Sequence, residues 1–236
     1  MLNPQQRLVA EVARIFPDAV FYKQTTQRVM SLTIDDGPTP GELDDRSMQV
    51  ILDAIAQHNQ QIENPQELVR ATFFIISSHL RENTTIIKQI LQQGHEIGNH
   101  GVADETTVLL TPKKFEQQLH EAHERLCRLS NQPIRWYRPG RGLYNKRMLE
   151  SLRRVEGYEP RFALASMLPV DTFKPTDDSR FTVWYASRFF FPGSILVFHV
   201  GTLQRAENTS AALKVILAAL KQRNYRVVTF SELWDL

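Results

Sequence analysis

The residues best placed to do chemistry fall in four short segments. Leu32-Thr33-Ile34-Asp35-Asp36-Gly37-Pro38 ends an apolar, β-branched run in two adjacent carboxylates and a Gly-Pro turn. Neighbouring side chains on a strand face opposite ways, so Asp35 and Asp36 can serve one site only where the backbone bends. Gly37 and Pro38 predict such a bend, although Asp-Asp-Gly-Pro also reads as a plain solvated turn. Gly94 to His100 is followed by Asp104 and Glu105. Residues four apart on a helical turn face the same way, which spaces His100 and Asp104 as a pair of metal ligands. Imidazole nitrogen with carboxylate oxygen suits a borderline divalent ion such as zinc, and a second carboxylate would tilt the site toward a harder ion such as manganese. His95 reads as a core or capping histidine. In Tyr137-Arg138-Pro139-Gly140-Arg141-Gly142, the planar fork of Arg138 can hold a carboxylate in one orientation, or simply make a surface ion pair. In Ser194 to His199, the histidine closes the four-residue apolar run Ile195 to Phe198 and is placed like a group delivered to the rim of a sheet, or like an ordinary strand-end polar residue.

These segments need elements to position them. Short β-branched runs alternate with helical patterns, the signature of a mostly parallel α/β fold. The runs predict about seven strands, at Val29 to Asp35, Ala71 to Ser77, His95 to Gly98, Arg135 to Tyr137, Phe162 to Met167, Ser194 to His199 and Arg226 to Phe230. Thr111 and Pro112 open a helix whose buried stripe is Phe115, Leu119, Ala122, Leu126 and Leu129. Asn145 is placed to cap a second, and a third is expected from about Asn208 to Arg223. Seven β/α units could close as a barrel or stay an open sheet, and in either case the loops at the carboxyl ends of the strands carry the site. The aromatic stretch Phe181, Trp184, Tyr185, Phe189, Phe190 and Phe191 reads as core rather than as a platform for a sugar ring.

The chain's 236 residues suit one α/β domain over residues 1–236, with a helical N-terminal extension at about 1–25. There Asn3 is the candidate cap, Pro4 the first helical residue, and Leu8, Val12, Ile15 and Phe16 the apolar face. Its 28 basic and 26 acidic residues nearly cancel and form no long basic run, so nucleic acid is not an expected partner. Cys127, the single cysteine, cannot form an intrachain disulfide. Glu11 and Arg14 interrupt what would be the apolar heart of a signal peptide, and no run approaches the roughly 18 apolar residues that span a bilayer. No membrane association and a cytoplasmic location are therefore expected.

Taken together and in order, the segments resemble the polysaccharide deacetylase family. The resemblance runs from about Ser31 to Leu236, through Thr33-Ile34-Asp35-Asp36-Gly37-Pro38, Ala71-Thr72-Phe73-Phe74-Ile75, Gly94 to His100, Arg138-Pro139, Gly193 to His199, and Asn224 to Thr229. It implies an α/β fold, a distorted (β/α)7 barrel, and a metal-dependent hydrolase of non-peptide carbon-nitrogen bonds acting on an N-acetylated sugar or oligosaccharide. It further implies that Asp35 is the general base, Asp36 and His100 are metal ligands, Arg138 orients the base and His199 is the general acid. The implied cofactor is a divalent metal, zinc foremost, with manganese, cobalt and nickel as alternatives. The chain departs from the family pattern in three places. Asp104, and not a second histidine, stands four residues after His100, with Gly101 in place of a small hydroxyl residue. Gly140 and Arg141 follow Arg-Pro where a proline and an aromatic are usual. Val170-Asp171-Thr172 opens like the fourth motif, making Asp171 the expected partner of His199, but Lys174-Pro175 stands where an Asp-Trp pair is common. These departures keep two alternatives in view, a hydrolase of another small amide and a binding protein that has lost catalysis.

Overall fold

A computed structural model describes residues 4–167, 170–173 and 178–236. The expected cap Asn3 and the Lys174-Pro175 pair lie outside the described residues. The strands are β1 (Ala19–Val20), β2 (Val29–Gly37), β3 (Ala71–Ile75), β4 (Glu96–Asn99), β5 (Phe162–Ala163), β6 (Ile195–His199) and β7 (Arg226–Val228). The helices are α1 (Pro4–Ile15), α2 (Arg46–Asn59), α3 (Ile86–Gln92), α4 (Pro112–Ser130), α5 (Lys146–Arg154), α6 (Ser179–Phe189), α7 (Leu203–Gln222) and α8 (Phe230–Trp234).

β2 is the organising strand. It pairs in parallel with β3, β6 and β7, and β4 lies outside β3, giving a sheet ordered β4-β3-β2-β6 with β7 against the first residues of β2. β1 and β5 form a separate parallel pair. A few backbone hydrogen bonds and isolated bridges link the two into a distorted barrel. Arg138 N donates to Asn99 O and Ala163 N to Tyr137 O, and on the far side Ser166 N donates to Ile195 O, each at 2.9 Å. Irregular segments thus complete a ring that regular strands leave open, and the expected (β/α) barrel is the architecture found.

Alternation along β2 explains where the chemistry sits. Met30, Leu32 and Ile34 pack outward in the large core cluster with Met48, Ile51 and Ile55 of α2 and Leu213, Ile216 and Leu217 of α7. Val29 packs on the other side, with Phe74, Trp136, Ile195 and Phe230. With a side-chain period of two, Ser31, Thr33 and Asp35 share the inner face with Val29. On β6 the same rule sets Leu196 and Phe198 outward and Ile195, Val197 and His199 inward. The register brings the inner faces together, pairing Thr33 with Val197 and Asp35 with His199.

Several elements differ from expectation, each for a local reason. Arg135 to Tyr137 forms only an isolated bridge, Tyr137 to Asn99. Phe162 to Met167 contracts to the two residues of β5, and Phe230 leaves its strand to begin α8, where Thr229 and Glu232 form a reciprocal capping box. α7 starts five residues before the expected Asn208, because the Thr202 hydroxyl accepts from Arg205 N at 3.3 Å and caps it earlier. In α1 the apolar face is the exposed one, with Leu8 66% and Ile15 64% exposed, while Gln6 is buried. α4 follows its predicted stripe, with Phe115, Leu119, Ala122 and Leu126 buried. Of the aromatic stretch, Phe190 and Phe191 are buried and Trp184 is half exposed.

Candidate active site

A cavity of about 720 Å³ opens at the carboxyl ends of β2 and β6 and is lined by Asp35, Asp36, His100, Asp104, Arg138 and His199 among others. Asp35, on the inner face, is fixed by Arg138. One guanidinium nitrogen, Nη1, donates to Asp35 Oδ1 at 2.6 Å and to Thr33 Oγ1 at 2.8 Å. Two further donors go to carbonyls, Nε to Ala163 O and one N–H of Nη2 to Leu164 O, both at 3.1 Å. The plane lies over the Phe74 ring, 4.1 Å from its centroid. Arg138 is buried, which pulls its pKa down while Asp35 opposes the fall. A buried guanidinium with a charge partner and four of its five N–H groups bonded is held in one pose.

Asp36 should point out toward α2 by strand alternation, yet it lines the cavity. The bend expected at Gly37-Pro38 begins one residue earlier. Asp36 itself has φ 66°, in the left-handed region that aspartate tolerates better than most residues, and the β2–β3 register slips between Ile34 and Gly37. Although burial opposes its charge, hydrogen bonding and charge from His100, with His199 and Arg141 adding to it, hold Asp36 well below the usual carboxylate range.

His100 follows β4 and is buried. Its Nδ1 lies 2.8 Å from Arg138 O. A carbonyl only accepts, so Nδ1 must carry the proton, and Nε2 of the neutral ring then presents a lone pair. That lone pair faces Asp36 Oδ1 at 3.3 Å and Asp35 Oδ2 at 3.9 Å. Three electron-rich atoms converging in a buried place require a cation between them. A proton on Nε2 is one answer, and against the burial that disfavours it the two carboxylates do push the His100 pKa upward. A divalent ion is the other, and an imidazole whose far nitrogen donates to a carbonyl is the usual arrangement of a metal-binding histidine. The donor set Asp36 and His100 therefore fits a divalent metal.

Asp104 reaches the cavity wall, but its carboxylate meets Arg141 Nη2 at 2.8 Å and is half exposed. Arg141 sits in a left-handed conformation, φ 61°, next to Gly140. A Cβ on Gly140 would come within 2.0 Å of Glu105 O, so the absence of a side chain there lets the two loops touch. Among the described residues no three His, Cys, Asp or Glu side chains are grouped to hold a metal ion by themselves.

His199 ends β6 with Asp171 behind it. Both Asp171 oxygens lie 3.1 Å from His199 Nδ1, and Oδ2 also accepts from the His199 backbone N at 2.7 Å. Nδ1 is committed to the carboxylate, which leaves Nε2 as the nitrogen for the cavity. Burial works against the charged ring, but Asp171, reinforced by Asp35 and Asp36, pushes its pKa up to about 9. Protonated at neutral pH, His199 can donate from Nε2.

Sequence reasoning passed over Thr33 and Phe74. Thr33 was detectable, since it lies two residues before Asp35 on the same strand face. Its hydroxyl donates to Leu196 O at 2.7 Å, tying β2 to β6 while accepting from Arg138. Phe74 sits in an apolar run where nothing marks it as a platform for a cation.

The sequence model of the polysaccharide deacetylase family matches residues 22–159. A peptidoglycan-N-acetylglucosamine deacetylase of Bacillus cereus is 28% identical over 207 residues, 88% of each chain. A peptidoglycan-N-acetylmuramic acid deacetylase of Bacillus subtilis is 24% identical, covering 93% of this chain and 75% of its own. Among solved structures, a peptidoglycan N-acetylglucosamine deacetylase superposes with a TM-score of 0.77 at 22% identity over 94% of this chain and 95% of its own. A CE4 family pseudoenzyme from Bacillus anthracis gives 0.73 at 21% identity, over 92% and 69%.

Proposed function

Because the chain belongs to the polysaccharide deacetylase family, we propose that it is a metal-dependent deacetylase that hydrolyses the amide of an N-acetylated sugar or oligosaccharide. The observation that carries the reading is the pair of charge-coupled groups on adjacent strands, Asp35 fixed by Arg138 and His199 backed by Asp171. Hydrolysis of an amide needs a proton taken from water and a proton given to the leaving nitrogen. Asp35 is the proton acceptor in this assignment, and Arg138 is its positioning residue. His199 is the donor through Nε2, and Asp171 fixes its tautomer and its charged form. Asp36 and His100 would hold the divalent ion, zinc foremost, which when bound supplies Lewis acidity to the acyl carbonyl.

A second reading, a binding protein without turnover, draws on one observation. Asp104, the expected third ligand, is engaged by Arg141. Against it stands the intact set of base, orienter, acid and acid partner, which binding alone does not require. Acetate released from a panel of N-acetylated oligosaccharides by the zinc-loaded protein tests the choice. The deacetylase reading expects release that falls by on the order of 100-fold in Asp35→Asn with bound zinc unchanged. Saturable binding of the same sugars with no acetate released would favour the second reading.

A further inference from the structure

Among the described residues, three carboxylates and three guanidiniums line the cavity. Two of the guanidiniums are matched, Arg138 by Asp35 and Arg141 by Asp104. The third, Arg205, is not. It is partly buried, and among the described residues no carboxylate lies within ion-pair distance of it. A divalent ion at Asp36 and His100 would add further positive charge to the same space, leaving the cavity short of anions until something brings one in.

Arg205 also packs closely on the turn after β6. It comes from the first turn of α7, just after the capping Thr202. Its guanidinium lies over Gly201, so closely that a Cβ there would meet Arg205 Nη1 at 2.4 Å and Cζ at 3.2 Å. Gly201 has φ 57°, and its carbonyl accepts from Thr39 Oγ1 at 2.6 Å, which anchors the turn beneath the guanidinium. Gly201 is two residues beyond His199, at the end of β6, whereas His100 follows β4 on the other side of β2. Arg205 therefore lines the cavity from the turn that follows the proton donor. In the assignment above, His199 serves the leaving nitrogen, so a group beside it belongs to the amine half of the substrate and not to the acyl half.

We infer, resting on that assignment of His199, that the cavity selects an acylated amine bearing a carboxylate on its amine half, and that Arg205 is the residue that reads this charge. A planar guanidinium matches a carboxylate through two parallel hydrogen bonds, which a neutral hydroxyl or carboxamide cannot reproduce. Two kinds of molecule carry the required chemistry, an amino sugar with an acidic ether substituent and an N-acyl amino acid.

Calorimetric titration with the metal-loaded protein separates the outcomes without requiring turnover. The probes are N-acetylmuramic acid and N-acetylalanine, each against its neutral carboxamide. The inference expects at least one acid to bind about tenfold or more tightly than its carboxamide, with the preference shrinking at high salt. Arg205→Gln should abolish the preference while leaving the carboxamide's affinity unchanged, and Arg205→Lys should restore part of it. Which acid is preferred identifies the source of the carboxylate. Equal binding of acid and carboxamide in both pairs, no binding of either acid, or an equal loss of all ligands in Arg205→Gln overturns the inference. Acetate release measured on the same four compounds tests the deacetylase reading independently. A binding preference without acetate would sink only that reading, and acetate without a preference would sink only the role of Arg205.

Discussion

At the scale of single residues, the site is a set of charges whose partners fix their protonation and their aim. Asp171 is the clearest case. Its charge is the main cause that lifts His199 to about 9 against burial, so removing it should let the ring fall toward and below the ordinary 6.5. Nuclear magnetic resonance titration of the metal-free protein should show His199 protonated until about pH 9 in the wild type, and deprotonating well below that in Asp171→Asn. An unchanged titration would separate Asp171 from the proton donor. Asp104 offers the complementary test. Its bond to Arg141 predicts that Asp104→Ala changes zinc affinity only a fewfold, whereas Asp36→Ala and His100→Ala lose about 100-fold or more. A loss in Asp104→Ala as large as in Asp36→Ala would make it the third ligand.

At the scale of elements, the sequence disclosed what depends on local pattern and concealed what depends on closure. The β2 run, the α4 stripe and the Asn145 cap were legible because period, capping chemistry and burial all agree. Asn145 Oδ1 accepts from Met148 N at 3.0 Å as the pattern implies. Asn145→Ala should cost about 1 kcal/mol in thermal or denaturant unfolding and leave zinc affinity unaltered. A loss of metal binding would show that α5 supports the site more directly than its position suggests. Asp36 shows the opposite limit. A paired Asp-Asp at a strand end signals a bend somewhere, but nothing in Asp-Asp-Gly-Pro says that the aspartate itself adopts positive φ. Arg135 to Tyr137 reads as a strand because Trp136 and Tyr137 are bulky aromatics, yet it makes a single bridge, since the distorted barrel needs it only to span from β4 to β5. Arg205 was concealed because the helix signal at Thr202 was weaker than the one at Asn208.

At the scale of the whole molecule, burial of ionisable groups links the fold to pH. His95, which the sequence marked as a core histidine, is buried beside Phe73. Its Nδ1 accepts from Ala71 N at 3.3 Å, and its Nε2 has no partner among the described residues. Burial, with Arg70 assisting, pulls its pKa down to about 4. The unfolded chain takes up this proton near pH 6.5 and the folded one does not, so stability is full above 6.5 and is lost as pH falls toward 4. Below 4 the loss is complete, at about 3 kcal/mol for a shift of this size. Denaturant unfolding at pH 7.5, 5.5 and 4 should show this decline in the wild type and a shallower one in His95→Gln. Parallel declines would place the acid sensitivity in other groups. No helix of the described residues is long and apolar enough to cross a membrane.

The central claim, that Asp36 and His100 hold a divalent ion on which amide hydrolysis depends, is tested most directly by acetate release during a metal titration. Zinc is added stepwise to metal-stripped protein in the presence of N-acetylated oligosaccharides, with bound zinc and acetate followed together. No release is expected without metal, then a rise in proportion to occupancy that saturates near one ion per chain, and neither tight binding nor release in Asp36→Ala. Undiminished release from the metal-stripped protein would contradict it, as would full occupancy by zinc, manganese, cobalt and nickel in turn with no acetate formed.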